Sequence, residues 1–238
     1  MPPYMTLWPP RQNCASPGNY HASGFVDKPT GRAILQCMQK GQLTRNAIIE
    51  QALDTAAKVG FEQLSLATLA ADTNMSKSGL YAHFKSKEAL QQAVLDLAVE
   101  RFGEIVVRPA MRQPRGLPRL EALFEGYLDW LGGTVTQGRC LFMALSQEYR
   151  DKPGSIRDLV VQSLKDWHST VARVVSDAID EGHFGPDTDP RQFAFDLSGI
   201  GMAFQQSFKL LGRADAELMA RRAFASLVAR AAEGTGKH

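Results

Sequence analysis

The sequence predicts an all-α protein, a small N-terminal helical head followed by a longer helical bundle. Three observations point there. From residue 43 onward apolar residues recur at helical spacing; no segment alternates with the two-residue period of a strand; and breakers such as Lys152-Pro153-Gly154 fall between the amphipathic stretches. With 238 residues, 44% hydrophobic and 22% charged, the chain has the composition of a folded globular protein and ample length for a core. Its 3 cysteines, Cys14, Cys37 and Cys140, lack metal-ligand spacing, which argues against a disulfide scaffold or a zinc site and for a reducing cytoplasm. The longest apolar run, Cys140–Leu145, is far short of the ~18 residues of a membrane span, and residues 1–25 hold no continuous apolar secretory segment.

Residues 1–40 are expected to stay outside the fold. Six of the 12 prolines fall here, at Pro2, Pro3, Pro9, Pro10, Pro17 and Pro29, interleaved with Gly and Asn and without apolar periodicity. Arg11, Lys28, Arg32 and Lys40 against Asp27 make the stretch basic. It reads either as an arm for a polyanion or as an overlong reading frame whose biological start is Met38. The first helix is expected from Thr44 to Val59, with Ile48, Ala52, Leu53 and Ala56 on one side and Gly60 as its stop. Ser65 caps a short helix over Leu66–Asp72, Thr73-Asn74-Met75 forms a tight turn, and Ser76 caps a second short helix through Phe84 with Leu80 facing inward. Ser86 caps a fourth helix that continues through Leu90, Val94, Leu97, Ala98, Phe102 and Ile105 to Pro109. A basic, proline-punctuated connector, Arg108–Arg119, leads to longer helices near Leu120–Leu131, Gly138–Tyr149, Ser155–Glu181, Pro190–Leu211 and Ala214–Ala232. The domains are thus 1–40 (arm), 41–90 (head), 91–109 (connecting helix) and 110–238 (body).

Charge divides along the same line. Residues 1–119 carry 14 Lys/Arg against 9 Asp/Glu, and the remainder 13 against 16, which suits a polyanion-binding head on a body with another task. Two short helices joined by a three-residue turn form a helix-turn-helix pattern. The second helix must enter a major groove, so its outer face should be small or polar. Lys77, Ser78 and Gly79 satisfy that at its N-terminal end. Ser65, Ser76, Tyr81, His83, Lys85, Ser86 and Lys87 surround them as phosphate donors, and no acidic residue interrupts Ser76 to Lys87.

The run Leu64-Ser65-Leu66-Ala67-Thr68-Leu69-Ala70, followed by Met75-Ser76-Lys77-Ser78-Gly79-Leu80-Tyr81-Ala82-His83-Phe84-Lys85-Ser86-Lys87-Glu88-Ala89-Leu90, strongly resembles the DNA-binding head of TetR/AcrR-family transcriptional regulators. The resemblance covers about Thr44 to Leu95. It implies a recognition helix over residues 76–82, with Tyr81, His83 and Lys87 at backbone phosphates. It also implies a helical effector-binding and dimerisation domain over residues 110–238. There the sequence offers an aromatic, sulfur-rich interior from which Phe102, Tyr127, Trp130, Cys140, Met143, Trp167, His168 and Gln205 are candidate lining for a ligand pocket, with core packing the safer reading of each. Ile200, Phe204, Phe208, Phe224, Leu227 and Val228 on the last two helices are candidates for a dimer interface or an intrachain helix pair.

The expected function is a homodimeric, cytoplasmic repressor on double-stranded, palindromic operator DNA, released by a small-molecule effector and needing no metal or other cofactor. The competing reading is an all-helical interaction protein or small-ligand binder without DNA-dependent regulation. Catalysis is not expected: no nucleophile–base pair, glycine-rich phosphate loop or paired-carboxylate motif is present in the sequence.

Overall fold

The computed structural model describes residues 44–56, 60–73, 75–133 and 140–233. The predicted arm, the end of the first helix, Asn74 of the turn and the predicted helix start at Gly138 lie outside these residues. Among the described residues all regular structure is helical, as the periodicity predicted. The head comprises α1 (residues 44–56), α2 (Leu66–Thr73) and α3 (Lys77–His83). Their termini follow from local chemistry. Ser65 accepts from the Thr68 N–H at 3.1 Å while Thr68 Oγ1 accepts from the Ser65 N–H at 2.8 Å, a reciprocal cap on α2. Ser76 accepts from the Gly79 N–H and caps α3. Ile48, Leu53, Leu64, Leu69, Leu80 and Phe84 are buried between the three helices. Burying each such side chain is worth about 1.5–3 kcal/mol, and this is what holds helices too short to persist alone.

Ser86 accepts from the Ala89 N–H and starts α4 (Lys87–Phe102). The sequence placed the end of this helix at Pro109, and here the structure differs. Helical backbone continues through a π-helical turn, Gly103–Val107, into α5 (Arg108–Met111). Pro109 has no N–H to donate, and its ring crowds the carbonyl four residues earlier. The wider turn, with Arg108 N–H bonded to the Gly103 carbonyl, absorbs that defect without stopping the helix. The connector accordingly shrinks to Arg112–Gly116, and α6 (Leu117–Gly132) starts earlier than expected with Pro118 in its first turn.

The body is completed by α7 (Leu141–Glu148), α8 (Ser155–Asp180), α9 (Pro190–Gln205) with a π-helical extension Gln206–Leu210, and α10 (Ala216–Ala232). α8 and α9 form an antiparallel pair, and α10 packs against α9. Phe124 of α6 stacks on Phe224 of α10 with centroids 3.9 Å apart, and Arg221 pairs with Glu125 beside them. Arg115 and the buried Arg119 both reach Asp177, pinning the start of α6 to the end of α8. Head and body share one continuous apolar core, with α4 running through it. None of the described helices is long and apolar enough to cross a membrane.

Candidate nucleic-acid interface and ligand cavity

α3 lays its two faces out as the groove argument requires. Leu80 and Phe84 are buried, whereas Ser76, Lys77, Ser78, Lys85 and Lys87 are exposed and Tyr81 is 57% exposed. Gly79 and His83 are half-buried on the flanks. A tyrosine that exposed contributes little to the head's core, so its ring is free to meet another surface. Three of the predicted donors already have internal work: the Ser65, Ser76 and Ser86 hydroxyls cap their helices, and Ser76 also meets Ser78 Oγ at 3.1 Å. Lys87 donates to the Glu62 carbonyl at 2.5 Å and keeps further N–H donors for an anion. One cation escaped the sequence reading. Arg45 at the start of α1 lies over the Phe84 ring at 5.0 Å, beside Lys85. Its only sequence signal is a lone basic residue at a helix N-terminus, 39 positions from the ring it covers.

Behind this face, the head is tied to the body at the α7–α8 turn. The Glu62 N–H donates to Glu148 at 2.7 Å, and Lys152 pairs with the Glu62 carboxylate at 2.6 Å. That contact holds the Glu62 carboxyl below its ordinary pKa, with Lys87 adding a smaller pull. Ser155 at the start of α8 bonds both Glu88 and Gln92 of α4, and Phe61 meets Tyr149 edge-on at 6.2 Å. The buried Gln91 of α4 donates to the Phe61 carbonyl at 2.9 Å.

α4 ends at a cavity of about 1460 Å³ between α6, α7, α8 and α9. Its floor is buried and largely aromatic: Phe102, Tyr127, Phe142 and Trp167, with Cys140 and Ser163. Phe102 sits at the centre, edge-on to Tyr127, Trp130, Phe142 and Trp167 at 5.2 to 6.4 Å. Of the predicted lining, Phe102, Tyr127, Cys140, Met143, Trp167, His168 and Gln205 do border the cavity. Trp130 does not; it backs Phe102 from behind. The sequence placed Phe142, Phe195 and Met202 in the aromatic, sulfur-rich interior without assigning them to the pocket, and it did not single out Ser198, because nothing local tells which face of a bundle helix meets a void.

Burial governs the chemistry of the floor. It pushes the Tyr127 hydroxyl and the Cys140 thiol up in pKa, so both stay protonated, the latter partly offset by the Met143 amide and the Trp130 indole turned toward the sulfur. It lowers His168, whose Nε2 lies 3.1 Å from Ser198 Oγ. The indole N–H of Trp167 is buried with no partner at hydrogen-bond distance, and that of Trp130 is buried facing the Cys140 sulfur. Tyr127 fits only because position 201 is glycine: a Cβ there would clash with a ring carbon and lie 2.6 Å from the hydroxyl. Among the described residues no group of His, Cys, Asp and Glu could hold a metal ion.

The six residues read as a dimer interface divide. Phe204, Phe224 and Leu227 are buried inside the protomer, and Ile200 and Val228 are half-buried against the same core. Phe208 is 40% exposed, stacked on Phe204 at 5.5 Å. The apolar side chains left facing outward nearby are Leu210, Leu211, Leu218 and Met219, of which only Leu211 stood out in the sequence as a large apolar anchor.

Comparison with known proteins places this geometry. Residues 48–94 match the bacterial regulatory proteins of the tetR family, and residues 116–224 match the tetracyclin repressor-like C-terminal domain. The HTH-type transcriptional repressor ComR of Escherichia coli K12 is 36% identical over 72 residues, 28% of this chain and 34% of that protein. The HTH-type transcriptional regulator AcrR of Shigella flexneri is 31% identical over 101 residues, 42% of this chain and 46% of that protein. The chain thus spans less than half the length of the curated relatives it matches. In three dimensions it is similar to a TetR transcriptional regulator from Chloroflexus aurantiacus, with TM-score 0.68 at 22% identity, covering 80% of this chain and 95% of that one. It is similar also to AibR in complex with isovaleryl coenzyme A and operator DNA, with TM-score 0.63 at 24% identity, covering 77% and 97%. At these identities the two structures establish the fold.

Proposed function

The chain belongs to the TetR/AcrR family of DNA-binding transcriptional regulators, and from that premise we propose that it is a homodimeric repressor released from operator DNA by a small molecule. The observation that carries this reading is α4. Its capped start adjoins the exposed face of α3, and its last residue, Phe102, is the centre of the cavity floor. A ligand that seats against Phe102 bears on the element that sets the position of the recognition helix. It shifts the equilibrium by as much as it prefers the conformation that does not fit DNA, and by nothing more. On the same fold, AibR was solved in complex with isovaleryl coenzyme A and operator DNA, so one such protein takes both a small molecule and DNA.

In this reading Lys77, Ser78 and Gly79 face base edges, while Tyr81, His83, Lys85 and Lys87, joined by Arg45, hold phosphates. A twofold axis beside α9 and α10 presents two heads to a palindrome. Phe208 with Leu210, Leu211, Leu218 and Met219 supplies its apolar contact, because Phe204, Phe224 and Leu227 are already consumed within the protomer. Footprinting on the upstream region of the protein's own gene, with the full chain and Tyr81→Ala, tests the proposal. The expected result is a protected palindrome that Tyr81→Ala loses. Absence of any bound site in a genome-wide pull-down at low salt would sink it.

A further inference from the structure

Where the body touches the head, three charged side chains meet: Lys87 and Glu62 of the head and Lys152 of the body. Lys87 donates to the Glu62 carbonyl at 2.5 Å, and the Glu62 carboxylate pairs with Lys152 of the α7–α8 turn at 2.6 Å. Lys152 is set in place by its own turn. Its N–H donates to the Tyr149 carbonyl at 3.3 Å, and its ammonium lies 5.6 Å from the Tyr149 ring. Other described acids at this junction are engaged elsewhere: Glu148 accepts from the Glu62 N–H, Glu88 from Ser155, and Asp151 pairs with Arg150. Glu62 is the carboxylate poised between the two lysines, and both lower its pKa, chiefly Lys152 and to a smaller extent Lys87.

The Glu62–Lys152 pair does little for the fold. Its side chains are 51% and 48% exposed, and ion pairs so open to water add little stability. What the pair decides is where the Glu62 charge goes. Lys87 already touches the backbone of Glu62, so rotation about the side-chain bonds of that one residue brings its carboxylate onto the same ammonium. With Lys152 in place, that rotation breaks an ion pair; without Lys152 it only makes one. An ammonium claimed by a carboxylate no longer displaces counterions from a phosphate, so its contribution to DNA affinity is lost.

We infer that Lys152 is a positioning residue for DNA binding: by holding the Glu62 carboxylate, it leaves the Lys87 ammonium free for a backbone phosphate. The inference rests on the DNA-binding reading above, but its first test needs no DNA. Trace acylation of the full-length protein with acetic anhydride, quantified at Lys87 by mass spectrometry, reads how firmly a carboxylate holds that ammonium. Lys152→Met should slow acylation of Lys87 about two- to fivefold, the scale of one exposed ion pair. Lys152→Arg, which keeps the charge, should leave the rate unchanged, and adding Glu62→Gln to Lys152→Met should restore it. The second test uses the footprinted operator. Lys152→Met should weaken binding about two- to fivefold for each head engaged and flatten the slope of log affinity against log salt by about 0.9 per head. Glu62→Gln should again rescue both. A junction that was only loosened would keep the slope and gain nothing from Glu62→Gln, which removes a contact there and repairs none. Unchanged acylation of Lys87 in Lys152→Met, or a loss of affinity that Glu62→Gln does not rescue, overturns the inference. Operator binding with an unmoved slope also overturns it and leaves the DNA-binding reading standing. The acylation pattern without any bound operator upholds the charge relay and sinks the DNA-binding reading.

Discussion

Head and body treat their polar atoms in opposite ways. In the head, the serines near α2, α3 and α4 are satisfied within three residues of themselves, and the cations that remain face outward. In the body, the telling donor is the Trp167 indole, buried and unsatisfied beside a void bordered by four helices and the end of α4. The first arrangement presents a surface whose charge is ready for a partner that brings its own phosphates. The second seals polar atoms among aromatic rings around a space that distant helices leave open. A surface of the first kind is written in consecutive residues; a site of the second kind exists only once distant helices have packed.

The largest effect expected is at neighbouring positions of α3. Leu80 is fully buried, so Leu80→Ala should cost about 3 kcal/mol in chemical denaturation and abolish DNA binding by unfolding the head. Tyr81→Ala, one residue along and 57% exposed, should change stability by no more than about 0.5 kcal/mol. Its operator affinity should nevertheless fall at least about tenfold, the scale of one lost charge-assisted contact. Equal destabilisation by the two would show that the face of α3 is assigned wrongly.

Next come two glycines of α9. Gly→Ala inside a helix normally stabilises by about 0.5–1 kcal/mol. Gly201→Ala should reverse that sign and destabilise by about 1–3 kcal/mol, because its Cβ meets the Tyr127 ring. It should also weaken ligand binding by displacing that ring. Gly199→Ala, with nothing within 4 Å of its Cβ, should show the ordinary stabilisation in the same denaturation series.

The smallest effect concerns pH. Burial lowers the pKa of His168 in the folded state, so below its ordinary value of 6.5 the unfolded chain binds a proton more readily than the folded one. Stability from this group is therefore complete above that pH and declines as pH falls through it toward the lowered folded value. His168→Asn should flatten the slope of melting temperature between neutral pH and mild acid. An unchanged slope would place its origin elsewhere than His168; the Glu62–Lys152 contact is not that origin, because Glu62 is held below its ordinary value of 4.5 and its contribution fades only at more acidic pH.

Most of the head was legible in the sequence because its determinants are short-range. Ser76 and Ser86 cap helices three residues away, Leu80 and Phe84 lie one turn apart on one face, and the stretch between Ser76 and Lys87 excludes acids. Arg45 was missed because its ring partner is remote in the chain. Pro109 shows a local rule outweighed: a π turn cost less than breaking an element that carries buried Phe102, Val106 and Ala110. Trp130 and Trp167 show the limit of periodicity, since both are buried aromatics on bundle helices and only one borders the cavity.

By itself, then, the sequence determined the all-α class, the helix starts of the head and the polarity of α3, since each depends on residues within a turn of one another. Tertiary structure alone decided which apolar side chains line a cavity, which vanish into the protomer as Phe204, Phe224 and Leu227 do, and which stay exposed. A helical stripe records only that a face is apolar. What that face meets is settled when α4, α6, α7, α8 and α9 pack against one another, and the volume they leave unfilled appears in none of their sequences.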